Sequence, residues 1–282
     1  MRVIEIINIA SEHLSEKGYE NPRLEVERML GSVLGLSRLD LYMAFDRPLT
    51  ENELERFRSM YRRRLAHEPL QHIIGSTGFR DLEIKTDHRA LIPRPETELL
   101  VDLAVTFLRE RSNAFVADLG TGSGIIALSI LYEVPESKAV AIDISGEALN
   151  LAKQNACQLG VENRIQFLNG DMLESLDNLG PFDAILSNPP YVRSGEIETL
   201  EPEVRSFEPR MALDGGPDGL QFIVPIVQNS HRFLKPGGLL LLECGDYHAE
   251  SILKKITETG CYSNSEIITD LAGKKRIVKA LC

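Results

Sequence analysis

From about residue 114 onward, short runs of consecutive apolar residues alternate with longer stretches of helical period. Phe115-Val116-Ala117, Ala139-Val140-Ala141-Ile142, Ile165-Gln166-Phe167-Leu168, the run 182–187 and the run 239–242 each predict a buried strand. Helices are expected over roughly 123–132, 146–159 and 220–234. Strand and helix in alternation point to a mainly parallel, doubly wound sheet with right-handed crossovers. Two late segments, 265–268 and 276–280, have the pattern of a closing antiparallel pair, which brings the sheet to seven strands.

The first 75 residues are different, with helical periodicity and no strand pattern. Asn21-Pro22 reads as an N-cap followed by Pro at N1, and Gly35 as a stop. Thr50 and Glu53 have capping-box spacing, and Leu54, Phe57, Tyr61 and Leu65 form one apolar stripe behind them. Arg62, Arg63 and Arg64 on the same helix read as a solvated face or as a contact to an acidic or RNA partner. Alternation through Phe79, Leu82, Ile84, Leu91 and Ile92 predicts a β-hairpin over 76–92. Pro93-Arg94-Pro95-Glu96 then starts a helix, and this entry reads either as a plain stiff helix start or as one wall of the site. The expected organisation is a small all-helical domain at 1–75, the hairpin linker at 76–92 and a catalytic domain at 93–282.

Composition narrows the class without changing it. A hydrophobic fraction of 43% and a charged fraction of 26% are those of a soluble globular protein. No apolar run approaches the ~20 residues that span a bilayer, and no leader pattern is present, so a cytoplasmic location is expected. The four cysteines form no C-x-x-C pair, which favours reduced thiols over disulfides or a metal site. Of the net charge of −11, almost all falls after residue 75: 11 Lys/Arg stand against 12 Asp/Glu before it, and 20 against 30 after it. Nucleic-acid affinity needs clustered cations, so an acidic catalytic half argues against stable nucleic-acid binding.

The chemistry sits where the strands end. Asp118-Leu119-Gly120-Thr121-Gly122-Ser123-Gly124 is a glycine-rich turn between strand and helix. It lacks the Gly-Lys-Ser/Thr of a P-loop, and its G-x-G-x-G spacing departs from the G-x-G-x-x-G of dinucleotide loops. The acid ahead of it would repel a pyrophosphate and suits a cofactor with a cationic amino-acid end, such as S-adenosyl-L-methionine (SAM). Asp143 ends the next strand, where a carboxylate can accept from ribose hydroxyls. Asp171 follows the third strand, suited to an adenine amine, with Met172 to pack on the ring. The fourth strand runs into Asn188-Pro189-Pro190-Tyr191. Two prolines make this turn rigid and leave acceptors free. A planar nitrogen is a poor nucleophile; the Asn188 side-chain oxygen and Pro189 carbonyl could hold its N–H groups and aim it, while Tyr191 stacks on its plane. Catalysis of that kind is alignment with electrostatic help.

These motifs resemble those of class I SAM-dependent methyltransferases acting on planar nitrogens, with their Rossmann-like fold. The resemblance is closer to the release factor glutamine methyltransferases (the PrmC, formerly HemK, family). It is carried by Glu68-Pro69-Leu70-Gln71-His72-Ile73, by Ile92-Pro93-Arg94-Pro95-Glu96-Thr97-Glu98, by the stretch from Phe207 to Leu220, by Glu243-Cys244-Gly245 and by Gly273-Lys274-Lys275-Arg276. It implies methyl transfer from SAM, leaving S-adenosyl-L-homocysteine, to N5 of the glutamine in the Gly-Gly-Gln motif of class I peptide-chain release factors. It also implies that Gly120, Thr121, Gly122, Ser123, Gly124 and Asp143 hold SAM, with Met172 beside the adenine. Asn188 would touch both cofactor and substrate, and Asn188, Pro189, Pro190 and Tyr191 would receive the glutamine. The N-terminal helices would dock the release factor, and a monomer is expected.

The competing expectation is an adenine-N6 or cytosine-N4 amine methyltransferase on DNA or RNA, because the Asn-Pro-Pro-Tyr turn is shared with such enzymes. Five acids (Glu196, Glu198, Glu201, Glu203, Glu208) against three arginines between residues 193 and 210 disfavour a phosphate backbone beside the site.

Overall fold

The computed structural model describes residues 1–282, and the chain divides into two compact units: Met1–Gly75 with Pro202–Phe207, and Ser76–Glu201 with Glu208–Cys282. The first unit is all helical: α1 (Val3–Glu16), α2 (Pro22–Leu34), α3 (Arg38–Met43), α4 (Glu51–Leu65), α5 (Leu70–Ile74) and, numbered by its place in the chain, the short α9 (Pro202–Phe207). One apolar cluster holds it together, with Ile7, Leu14, Met29, Leu30 and Leu41 fully buried. The capping box forms as the sequence predicts: Glu53 N–H donates to Thr50 Oγ1 at 3.3 Å, and Thr50 N–H to Glu53 Oε2 at 2.9 Å. Gly35 ends α2 in the left-handed region.

The three arginines of α4 separate. Arg62 is exposed and pairs with Glu55, and Arg63 forks onto Glu68. Arg64 is neither a solvated face nor a free partner contact. Its side chain is 4% exposed, it bonds both Glu25 oxygens and Glu203 Oε1, and its guanidinium lies 4.4 Å from the Tyr19 ring centroid. Planar bidentate geometry explains why an arginine and not a lysine serves here.

The second unit opens with β1 (Ser76–Phe79) and β2 (Leu82–Lys85), an antiparallel hairpin. The hairpin stops at Lys85, short of the expected 92. Asp87 there folds back on Arg89, accepting from its backbone N–H at 3.1 Å and its Nε at 2.8 Å, and Pro93 and Pro95 exclude a strand beyond. Then follow α6 (Glu96–Leu108), β3 (Phe115–Leu119), α7 (Ile125–Glu133), β4 (Lys138–Asp143), α8 (Gly146–Leu159), β5 (Ile165–Asn169) and β6 (Phe182–Ser187). Beyond α9 come α10 (Ile223–Asn229), β7 (Leu234–Glu243), α11 (Ala249–Thr259), β8 (Asn264–Thr269) and β9 (Lys275–Leu281). The helix expected over 220–234 is confined to α10, with Pro225 in its first turn, where a missing N–H costs nothing. Residues 234–238, expected to close that helix, begin β7 instead. Leu234 pairs with Phe182, and a register shift lies between Phe182 and Ala184 before the ladder resumes.

The seven-stranded sheet has the order β5-β4-β3-β6-β7-β9-β8, parallel except where β9 runs antiparallel to both neighbours. The chain works outward from β3 in one direction through β4 and β5, then returns to place β6 on the other side. The carboxyl ends of β3 and β6 therefore flank the topological switch point, where open α/β sheets place ligands. Ser187 Oγ donates to Leu119 O at 2.6 Å and fastens those two strand ends together. Apolar clusters cover both faces of the sheet, so the central strands are buried on two sides.

Candidate active site

The loops that leave β3, β4, β5 and β6 meet the segment preceding α6 around a cavity of about 150 Å³. Gly120, Gly122 and Gly124 have φ of 70°, 56° and 88°. A Cβ on Gly124 would stand 2.9 Å from Leu128 Cδ1 and 3.1 Å from Ala152 Cβ, so only glycine makes the turn into α7. The loop is pinned on both sides. Thr121 N–H donates to Ile142 O at 2.9 Å, and Gly122 N–H to Asp143 Oδ2 at 2.8 Å. Asn155 of α8, 1% exposed, secures the far end. Its Nδ2 donates to Ser123 O at 2.9 Å and Lys85 O at 3.2 Å, and its Oδ1 accepts from Lys85 N–H at 2.9 Å.

Gly120, Thr121, Gly122, Ser123, Asp143, Asp171, Met172 and Asn188 of the expected cofactor residues line the cavity. Asp143 also accepts from Ser145 N–H at 2.9 Å; burial pushes its carboxyl pKa up, and the two backbone donors oppose that shift. Met172 lies over the loop, its Cε 3.2 Å from where a Gly120 Cβ would be.

Asp118 and Gly124 do not line the cavity. Asp118 is fully buried, and its Oδ2 accepts from Thr121 Oγ1 at 2.6 Å and Ala127 N–H at 3.2 Å, an anchor between loop and helix. Burial pushes its pKa to about 6, and Oδ1 has no partner. An acid at a strand end can face outward or fold under the loop it precedes; Asp118 does the second.

The Asn-Pro-Pro-Tyr turn divides in the same way. Asn188 and Pro190 line the cavity, whereas Pro189 is buried and Tyr191, half-buried, packs against the hydrophobic cluster on one face of the sheet. Burial raises the Tyr191 hydroxyl pKa, and the nearby Glu243 charge adds to it. The turn lies tightly on residues 213–215: Val192 N–H donates to Leu213 O at 3.0 Å, and Gly215 N–H to Val192 O at 2.8 Å. A Cβ on Gly215 would meet Pro190 O at 2.7 Å, which makes that glycine part of the turn's support.

The stiff segment before α6 does form a wall, through Pro93, Arg94 and Thr97. Ala90, Ile92, Met211 and Phe222 also line the cavity, and periodicity gave no sign of them. Glu208, 6% exposed, ties two of these segments together, accepting from Ile92 N–H at 3.1 Å and pairing with Arg94.

Solved structures place the fold. The catalytic domain of hMettl16, in complex with the MAT2A 3'UTR hairpin 6, aligns with a TM-score of 0.59 at 15% identity, over 75% of this chain and 80% of that one. A methyltransferase from Pyrococcus furiosus aligns with a TM-score of 0.52 at 19% identity, over 82% and 98%. These likenesses show the fold, the doubly wound seven-stranded sheet of class I methyltransferases. Family profiles match twice: the PrmC N-terminal domain at residues 5–75 and the methyltransferase small domain at residues 97–202. Curated relatives named release factor glutamine methyltransferase come from Geobacter sulfurreducens, 42% identical over 88% of this chain and 86% of that protein, and from Rhodopirellula baltica, 36% identical over 98% and 95%. The chain belongs to the release factor glutamine methyltransferase family.

Proposed function

We propose that this protein methylates N5 of the glutamine in the Gly-Gly-Gln motif of class I peptide-chain release factors, with SAM as donor. The observation that carries the site assignment is the meeting of Asn188 and the glycine loop in one cavity at the switch point. The residues fit the donor. A glycine cradle admits close approach, two carboxylates stand at the wall, and Met172, Ile144 and Phe222 supply apolar surface. The buried, unpartnered Asp118 oxygen at the base of the loop is a fixed negative partial charge that a cation above it neutralises.

When bound, SAM supplies an electrophilic methyl: the N–CH3 bond forms, the S–CH3 bond breaks, S-adenosyl-L-homocysteine leaves, and the amide nitrogen gives up a proton to solvent. The chain's own residues hold and align. Asp143 receives the ribose hydroxyls, and Asp171 and Met172 the adenine. Asn188 Oδ1 accepts an N–H of the glutamine amide, with the carbonyl of the buried Pro189 as the second acceptor, raising electron density on its nitrogen, and the part of Tyr191 that the sheet's apolar cluster leaves uncovered stacks on the planar group. No strong base is required, since the transition state is favoured by alignment and by fixed dipoles. The helical unit docks the release factor. We take the cytoplasm as its place of action, which its four unpaired cysteines fit; no helix of the protein is long and apolar enough to cross a membrane.

The test is radiolabel transfer from methyl-labelled SAM to three acceptors: a release factor, its Gln→Ala variant, and bulk DNA and RNA. Label in the first alone is expected. Label confined to nucleic acid would reject the assignment.

A further inference from the structure

Glu243 is the last residue of β7, one position beyond Leu242, which pairs with Ser187 of β6. It therefore stands beside Asn188 across two neighbouring strand ends. A carboxyl that is 1% exposed is costly there unless it holds something. Its Oε2 accepts the hydroxyl of Thr97 at 2.7 Å, and Thr97, 2% exposed, accepts Nδ2–H of Asn188 on the same oxygen at 3.3 Å.

We propose that Thr97 and Glu243 are positioning residues that fix which end of the Asn188 amide is offered to the cavity, a role that rests on the methyl-transfer reading of that cavity. The direction of the chain is dictated by proton count. A carboxylate only accepts, and a hydroxyl has one proton to give. Thr97 spends it on Glu243, so its oxygen can only accept from Asn188, and the acceptor's partner must be the NH2 end of the amide. Nδ2 is thereby committed, and Oδ1 is left as the end that accepts from a ligand. An acceptor substrate amide needs that polarity, because its own N–H groups are what must be held. Protonation of Glu243 removes the constraint. The carboxyl then donates to Thr97, Thr97 donates to Asn188 Oδ1, and the inverted amide presents N–H groups to N–H groups.

The surroundings leave Glu243 close to that change. Burial above all, helped by the Glu96 charge, raises its pKa to about 7 against the lowering effect of the hydrogen bond from Thr97 and of the charges of Arg276 and Arg94. Tyr191 and Cys244 are its other titratable neighbours, and both are held neutral by burial.

The experiment is a single-turnover rate of methyl transfer to the release factor at saturating SAM, from about pH 6 to about pH 9, for wild type, Thr97→Val, Thr97→Ser and Glu243→Gln. Valine keeps the shape and removes the hydroxyl. Its rate should fall roughly 10- to 100-fold while calorimetric SAM affinity stays within about threefold, and serine should restore the rate to within about threefold of wild type. The wild-type rate should fall as pH drops through about 7, and that limb should be missing in Glu243→Gln. A wild-type rate in Thr97→Val, equal losses in the valine and serine variants, or an unchanged acid limb in Glu243→Gln would each overturn the proposal. A wild-type protein that labels a different acceptor would instead reject the release-factor assignment, and the Thr97 series is then read on that acceptor with the same criteria.

Discussion

Replacing Asn155 by alanine tests whether the cofactor loop is held from behind. Its amide makes three bonds to backbone groups, at 2.9, 3.2 and 2.9 Å, and these join the end of the hairpin to Ser123 of the glycine loop. Alanine removes every one of them at a position 1% exposed. Each stranded buried group costs about 1–3 kcal/mol, and water entering the vacated space recovers part of it, so a loss of about 3 kcal/mol is expected. Urea unfolding followed by circular dichroism measures it, and calorimetry should show SAM affinity falling by roughly tenfold as Ser123 loses its tether. A loss below about 1 kcal/mol would mean that these bonds are exchanged for water in solution. Unchanged SAM affinity together with a full stability loss would show that Asn155 supports the fold and not the loop.

Three further outcomes follow from the same geometry. Asn188→Ala should cut the turnover rate by about 10²–10³ with SAM affinity changed by less than about threefold, because it removes an acceptor that matters most in the transition state; steady-state kinetics and calorimetry separate the two. Arg64→Met should destabilise the protein by about 3–5 kcal/mol in thermal or urea unfolding, since Glu25 and Glu203 are left unpaired around a site of 4% exposure. The corresponding change at exposed Arg62 should stay within about 0.5 kcal/mol. Glu243 titrates from 4.5 unfolded to about 7 folded, so it contributes stability that is present below pH 4.5 and lost as pH rises to about 7. That amounts to about 3 kcal/mol, and Glu243→Gln should flatten the stability profile across this window; an unaltered slope would contradict the burial of a titrating carboxyl.

Much of the catalytic unit is legible from local pattern, because buried parallel strands and the helices that cover them write their period directly into the chain. Strands β3 to β6 and helix α8 lie where hydrophobic runs place them, and Asp143, Asp171 and Asn188 reach the cavity because strand ends at a switch point have few other places to go. What was not legible depends on long-range partners. Thr97 and Glu243 are 146 residues apart, and Arg64 and Glu203 are 139 apart, and neither pair leaves a trace in spacing or periodicity. A strand-end acid before glycines has two conformations open to it, so the sequence of Asp118 fits a ligand residue, and only the position of Thr121 and Ala127 chooses the inward one. The Phe207 to Leu220 stretch carries family resemblance without a visible purpose in sequence; in three dimensions it supplies Pro209, Met211 and Ala212 to the cavity wall, Glu208 to hold Ile92 and Arg94, and Gly215 to the back of the Asn-Pro-Pro-Tyr turn.

The central claim is that the cavity beside Asn188 receives a protein glutamine. The most direct measurement is mass spectrometry of a release factor incubated with the enzyme and SAM, with fragmentation across the peptide that contains Gly-Gly-Gln. One added methyl on the glutamine side chain, formed far more slowly with Asn188→Ala enzyme, is the predicted result. A methyl on any other residue, or an unmodified peptide alongside methylated nucleic acid, would contradict it.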